Sequence, residues 1–221
     1  MIQGLIDKQD NFEVVRDKIG SILVNEVASQ KAFAIAGGKD PDLWDLNVYL
    51  ERSSAFEQYL NSDNDTTPIV NVWVDNINLD GRSSNIVERQ KIQCIYNIDC
   101  YGYGASEDVV TGGHLTGDEQ ANYNVQRAVR LVRNILMSST YTYLDLRGTV
   151  WQRWLQSITF FQPEINASSI QKVSGARLSF QVEFNEFSPQ YQGDDLDYIS
   201  VDIKRAEDGQ LIAEADYDYT L

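Results

Sequence analysis

Between Ala176 and Asn185 the chain alternates almost without fault. Ala176, Leu178, Phe180, Val182 and Phe184 fall on one parity, and Arg177, Ser179, Gln181, Glu183 and Asn185 on the other. A period of two predicts a strand with one apolar and one polar face, which needs neighbours and belongs in an antiparallel sheet that is dry on one side and wet on the other. The same period recurs upstream. Val70, Val72 and Val74 alternate with Asn71, Trp73 and Asp75, while Ile92, Cys94, Tyr96, Ile98 and Cys100 share a face. These predict two antiparallel strands joined by a polar loop from Asn76 to Ser84 that contains Asp80-Gly81. Tyr101-Gly102-Tyr103-Gly104 closes the second strand, and the Gly-, Ser- and Thr-rich stretch to Gly117 reads as an exposed loop. Another strand follows Gly148, from about Val150 to Gln162.

Two segments switch to helical spacing. Asp10 with Glu13 resembles a capping box, and Phe12, Val15, Ile19, Ile22, Leu23 and Val27 recur at helical intervals, predicting a helix over about residues 11–30. Thr116 with Glu119 forms a second Thr-x-x-Glu box ahead of the stripe Ala121, Val125, Ala128, Val132 and Ile135. The segment from Asp40 to Asn61 has no clean period and is read as a strand and then a short helix. The expected class is α+β: a mostly antiparallel sheet flanked by two main helices, with a C-terminal acidic β-hairpin arm.

Charge narrows the functional classes. At a formal −15 and a pI near 4.3, a sequence-independent nucleic-acid binder held by phosphate contacts is disfavoured, and an anionic membrane surface repels the chain. No apolar run approaches the roughly 20 residues of a membrane span, and the start Met1-Ile2-Gln3-Gly4 lacks a signal peptide, so the expected compartment is the cytosol. Cys94 and Cys100 lie roughly 20 Å apart along one extended strand, too far to bond, and are read as buried thiols in a reducing compartment.

The acidity is unevenly distributed. From Glu183 to the end there are eleven acidic and two basic residues, a net of −9, which leaves −6 for the preceding 182. Within that end Ile199, Val201 and Ile203 alternate before a turn at Asp208-Gly209, and Leu211, Ala213, Ala215, Tyr217 and Tyr219 alternate after it, predicting a hairpin. A lone two-stranded hairpin is marginal in water, so it is expected to dock on its own sheet or a neighbour. This divides the chain into a core over 1–192 and an arm over 193–221. By contrast, Arg127 to Arg153 holds five arginines and one acid, Asp145. Arg127, Arg130 and Arg133 recur every third residue, either as a solvated face whose stems cover apolar surface or as a basic patch for self-association. Head-to-tail pairing of that patch with the acidic end, including Asp194, Asp195 and Asp197, would close a ring.

Signals for chemistry are weaker. Thirty-three carboxylates guarantee chance pairs, and no pair is marked out as an acid–base couple. Asp194-Asp195-x-Asp197 lacks the glycine and distal glutamate of an EF-hand loop and reads as a solvated turn. His114, the only histidine, has no nucleophile at a catalytic spacing, and a zinc site needs more ligands than it and two cysteines supply. Tyr-Gly-Tyr-Gly has no Gly-Lys-Ser/Thr after it, so a strand end is preferred to a phosphate loop. No catalytic, cofactor-binding or metal-binding residue is expected.

The order of elements, with the stretches Ile95-Tyr96-Asn97-Ile98-Asp99-Cys100-Tyr101-Gly102, Val129-Arg130-Leu131-Val132-Arg133-Asn134-Ile135-Leu136 and Phe180-Gln181-Val182-Glu183-Phe184-Asn185-Glu186-Phe187, resembles the tail terminator (tail completion) proteins of tailed bacteriophages over roughly residues 5–192. The resemblance implies a non-enzymatic virion protein at the tail–neck junction, assembled in the host cytoplasm. It would form a hexameric ring on the tail tube, stop polymerisation, meet neck or connector proteins and pass DNA without binding it specifically. The acidic hairpin resembles an added arm, with Ile199, Val201, Ile203, Tyr217 and Tyr219 expected to pair with a neighbouring subunit or with tail sheath. Arg127, Arg130 and Arg133 are the expected subunit contacts. Asn78, Asp80 and Arg82 in one loop and Glu107, Asp108 and His114 in the other are the expected contacts to tube or neck. Two other readings are a neck or head–tail joining protein, and a small hydrolase or carbohydrate-active domain.

Overall fold

The computed structural model describes residues 6–61, 66–79, 89–109, 113–163, 173–187, 198–204 and 211–218. Helix α1 (Asn11–Ala36) starts where Glu13 reaches back to accept the Asp10 backbone N–H at 3.1 Å. It runs six residues past the expected end, because Lys31 to Ala36 is rich in alanine and nothing interrupts it before Gly37-Gly38. After a 3-10 turn (Pro41–Trp44) come strand β1 (Asn47–Leu50), a second 3-10 turn (Ala55–Glu57) and the short helix α2 (Gln58–Asn61). Strands β2 (Ile69–Leu79) and β3 (Arg89–Tyr103) precede a small pair, β4 (Glu107–Val109) and β5 (Gly113–Leu115). Helix α3 (Gly117–Leu136), strands β6 (Val150–Phe161) and β7 (Val173–Phe187), and the hairpin β8 (Tyr198–Lys204) and β9 (Leu211–Asp218) complete the chain.

The fold is α+β. Its five-stranded sheet has the order β1-β2-β3-β7-β6, antiparallel throughout except that β1 lies parallel to β2. One parity of β3 and β7, from Ile92 to Cys100 and from Ala176 to Phe184, forms the main core with α1 and α3. Both main helices therefore cover the same face. Ala121, Val125, Ala128, Val132 and Ile135 of α3 are all buried there, as their spacing predicts. Cys94 and Cys100 are buried and unbonded on this face.

Three local expectations are corrected. The polar loop does not begin at Asn76: after a register shift between Val74 and Asn76, β2 continues and pairs Asn78 with Gln93. The shift changes which parity faces inward, and this hides the continuation from a period-two reading. The stretch from Gly102 to Gly117 is not one open loop, since Glu107 pairs with Leu115 and Asp108 with His114 across β4 and β5. Thr116 sits at the N-cap of α3 without a side-chain capping bond, and a hydrogen bond from its side chain holds the Asp118 carboxyl below the usual carboxylate range.

The two glycines after Tyr101 and Tyr103 set how closely α3 approaches the sheet. A Cβ on Gly102 would stand 2.6 Å from the Ala121 carbonyl oxygen, and one on Gly104 would stand 2.1 Å from that of Gly117. Helix backbone rests on strand backbone, with no side chain between them that could give way. At the far end of the sheet, Glu186 of β7 accepts the Asn11 and Phe12 N–H groups at 3.0 and 3.3 Å, placing a carboxylate at the start of α1. Replacing Gly102 with alanine should therefore cost about 2 kcal/mol, read as a lowered urea midpoint at unchanged slope.

Candidate functional site

The face of the sheet away from the helices is not uniformly wet. Asn71, Asn97, Asp99, Gln181 and Asn185 are all buried on it. One end is covered by the segment after β1, where the chain turns at Glu51 in the left-handed region (φ 52°) and packs Ala55, Phe56 and Tyr59 against Ile69, Tyr101 and Val173. Beside this small second core lies a polar centre. Arg177 donates to both Asp99 oxygens from Nε and Nη2 at 2.7 and 2.9 Å, and the Trp73 indole N–H donates to the same carboxylate at 3.0 Å. Arg177 also lies over the rings of Trp73 and Phe161. Phe161 has room because its strand partner is Gly175, where a Cβ would come within 2.8 Å of the ring. A cavity of about 280 Å³ opens here, lined by Glu51, Arg52, Trp73, Asp99, Tyr101 and Arg177. Parity placed Asp99 and Arg177 on a wet face but could not pair them. Only the β3–β7 register, which sets Asp99 opposite Arg177, reveals the centre.

The helix side holds the basic stripe. Arg130 and Arg133 are exposed, whereas Arg127 is half-buried, with its Nε enclosed and unpaired. Desolvation lowers the Arg127 pKa against the pull of Asp40, Asp45 and Asp42. The three therefore differ in exposure along the helix. Between α1 and α3 a groove of about 370 Å³ is lined by Glu26, Val27, Trp44, Arg130, Ile135 and Tyr141. Glu26 already accepts from Tyr141 Oη at 2.8 Å and Gln30 Nε2 at 2.7 Å. Just beyond α3, Arg153 of β6 donates to the carbonyls of Tyr141 and Ser138, both at 2.6 Å.

The other sequence-derived candidates lie apart. Asn78 is exposed near the end of β2, and His114 is exposed on β5, whose ladder also holds Glu107 and Asp108. Ile199, Val201, Ile203 and Tyr217 fall in the β8–β9 ladder, a sheet separate from the main one. Asp80, Arg82, Asp194, Asp195, Asp197 and Tyr219 lie outside the described residues. Among the described residues no cluster of His, Cys, Asp and Glu is disposed to hold a metal, and no helix is long and apolar enough to cross a membrane.

No protein-family model matches the chain, and no curated protein matches it.

Two outcomes follow from this geometry. Arg177→Met strands Asp99 under the sheet surface and should cost about 3 kcal/mol in urea unfolding, with part of the loss recovered in the Asp99→Asn/Arg177→Met double variant. Burial pushes the Cys94 thiol up to about 11 and raises that of Cys100 further. Iodoacetamide at mildly alkaline pH should therefore leave both unmodified in the folded chain and label both after denaturation, read by intact mass.

Proposed function

We propose that the chain is a structural subunit of a tailed-bacteriophage virion: a tail terminator that caps the tail tube as a ring, ends tail polymerisation and joins the tail to neck or connector proteins. The element order behind the resemblance is present in the fold, as a helix, two long antiparallel strands, a second helix and two further antiparallel strands. The observation that carries the reading is the separation of charge and of sheets. Among the described residues the acidic hairpin forms a two-stranded sheet of its own, while the exposed cations Arg130 and Arg133 lie on α3 of the same chain. Opposite patches on one subunit suit head-to-tail contact, and head-to-tail contact closes rings.

In this reading the ring is hexameric, as in the family it resembles, and its partners are tail tube, neck or connector proteins and, through the arm, tail sheath. DNA crosses the ring without specific binding, consistent with a net charge of −15. The place of action is the tail–neck junction.

The Arg130→Glu/Arg133→Glu double variant should keep its circular-dichroism spectrum and fall to single-subunit mass in native mass spectrometry at physiological salt. A ring of unchanged mass would contradict the assignment of these two residues. Cosedimentation with isolated tail tubes, and not with DNA-filled heads, is the expected result for a terminator as opposed to a head–tail joining protein.

A further inference from the structure

We propose that the free edge of β6 receives the C-terminal hairpin of a second copy of this chain, which joins the five-stranded sheet by strand addition. The proposal deepens the self-association reading above and rests on it. Among the described residues β6 pairs only with β7, so a twelve-residue strand shows one row of backbone N–H and C=O groups without a ladder partner. Two register shifts, at Val150/Gln152 and Leu155/Ser157, break its first half. The run from Ser157 to Phe161 is regular and presents an edge fit for pairing. Within that run Ile158 and Phe160 pair with Leu178 and Ala176 of the helix-covered parity, yet they are 36% and 55% exposed.

The hairpin has the complementary need. Its register sets Ile199, Val201 and Ile203 opposite Tyr217, Ala215 and Ala213, so the apolar residues of its two strands share one parity of the ladder. On the other parity Asp202 stands directly opposite Glu214, and like charges in that position oppose pairing. A two-stranded ladder with such a pair is poorly stable alone and gains from a third strand and a cationic neighbour. The β6 region is that neighbour: residues 146–163 contain Arg147 and Arg153 and no acid, while residues 198–218 carry a net −4. Arg153 binds carbonyl oxygens, so its charge is not neutralised by them. The ten residues between Phe187 and Tyr198 span at most roughly 35 Å, enough to carry the hairpin beyond its own subunit. The arrangement is a form of β-augmentation in which each copy donates a hairpin and accepts one.

The test uses full-length chains and native mass. Successive residues of an antiparallel edge strand turn their N–H groups alternately towards and away from the partner strand, so of Ile158→Pro and Thr159→Pro one removes only an outward donor and should fold. That variant, and Val201→Pro in the hairpin, should each be folded single subunits. An equimolar mixture of the two should give a dimer and nothing larger, because one retains a competent hairpin and the other a competent edge. Phe160→Glu, which sets a carboxylate beside the acidic arm without touching the ladder, should also fall to single-subunit mass. A variant that assembles like the unmodified chain overturns the proposal. So does a mixture that stays monomeric, the outcome expected if each hairpin closed on its own edge. An unmodified chain that is monomeric at every concentration overturns the self-association reading as well, whereas unchanged assembly of all the variants overturns only the edge assignment.

Discussion

The ladder between β3 and β7 is the constraint on which the other parts depend. It runs without a register shift from Arg89 opposite Phe187 to Tyr103 opposite Val173. That unbroken register makes both faces of the sheet coherent over its full length. On one face it aligns Cys94, Tyr96, Ile98 and Cys100 with Val182, Phe180, Leu178 and Ala176 beneath the helices. On the other it brings Asp99 opposite Arg177 and Asn97 opposite Ser179, whose hydroxyl donates to the Asn97 side chain at 3.1 Å. A slip of one residue in either strand would drive Arg177 or Asp99 into the apolar core and leave the other without its partner, and the desolvation cost of an unpaired charge forbids it. Polar pairing on one side thus enforces hydrophobic pairing on the other.

Much of this architecture was legible in the amino-acid order, for reasons tied to particular residues. The alternation from Ala176 to Asn185 demanded a strand with two unlike faces, and the apolar stripe of α3 predicted its buried side residue by residue. Reading failed where a local irregularity or a distant partner decided the outcome. The register shift near Asn76 reverses parity within β2, and a constant-period scan takes the change for an end of strand. The parallel pairing of β1 with β2 depends on the turn at Glu51 and leaves no periodic trace in four residues. Asn71 and Gln181 looked like solvent-facing residues because burial on the second face comes from neighbouring strands and from the segment around Tyr59. The basic stripe was visible as a spacing, but its division into an enclosed Arg127 and exposed Arg130 and Arg133 depends on what packs beside each one.

The surfaces left over after the core is built differ in character. The helices cover one face as far as Val150 and Leu155 in the first half of β6 and leave Ile158 and Phe160 exposed in its second half. The second small core covers one end of the other face. Among what remains are an apolar margin at Ile158 and Phe160, exposed arginines on α3 and, among the described residues, a hairpin that forms a sheet of its own. The apolar margin and the unpaired strand edge are costly in water, whereas the exposed arginines are solvated.

Arg153 adds a mechanical consequence. One guanidinium on β6 grips two carbonyls of the turn that follows α3, so the outermost strand and the end of the helix are tied by short bonds and not merely by intervening chain. A displacement of that strand is therefore felt at the turn after α3 as well as along its ladder to β7. The helix in turn is seated backbone to backbone on Gly102 and Gly104, where no side chain can cushion a displacement. Edge strand, helix and central strand are therefore coupled by direct contacts, so a shift at the rim of the sheet is felt at its middle.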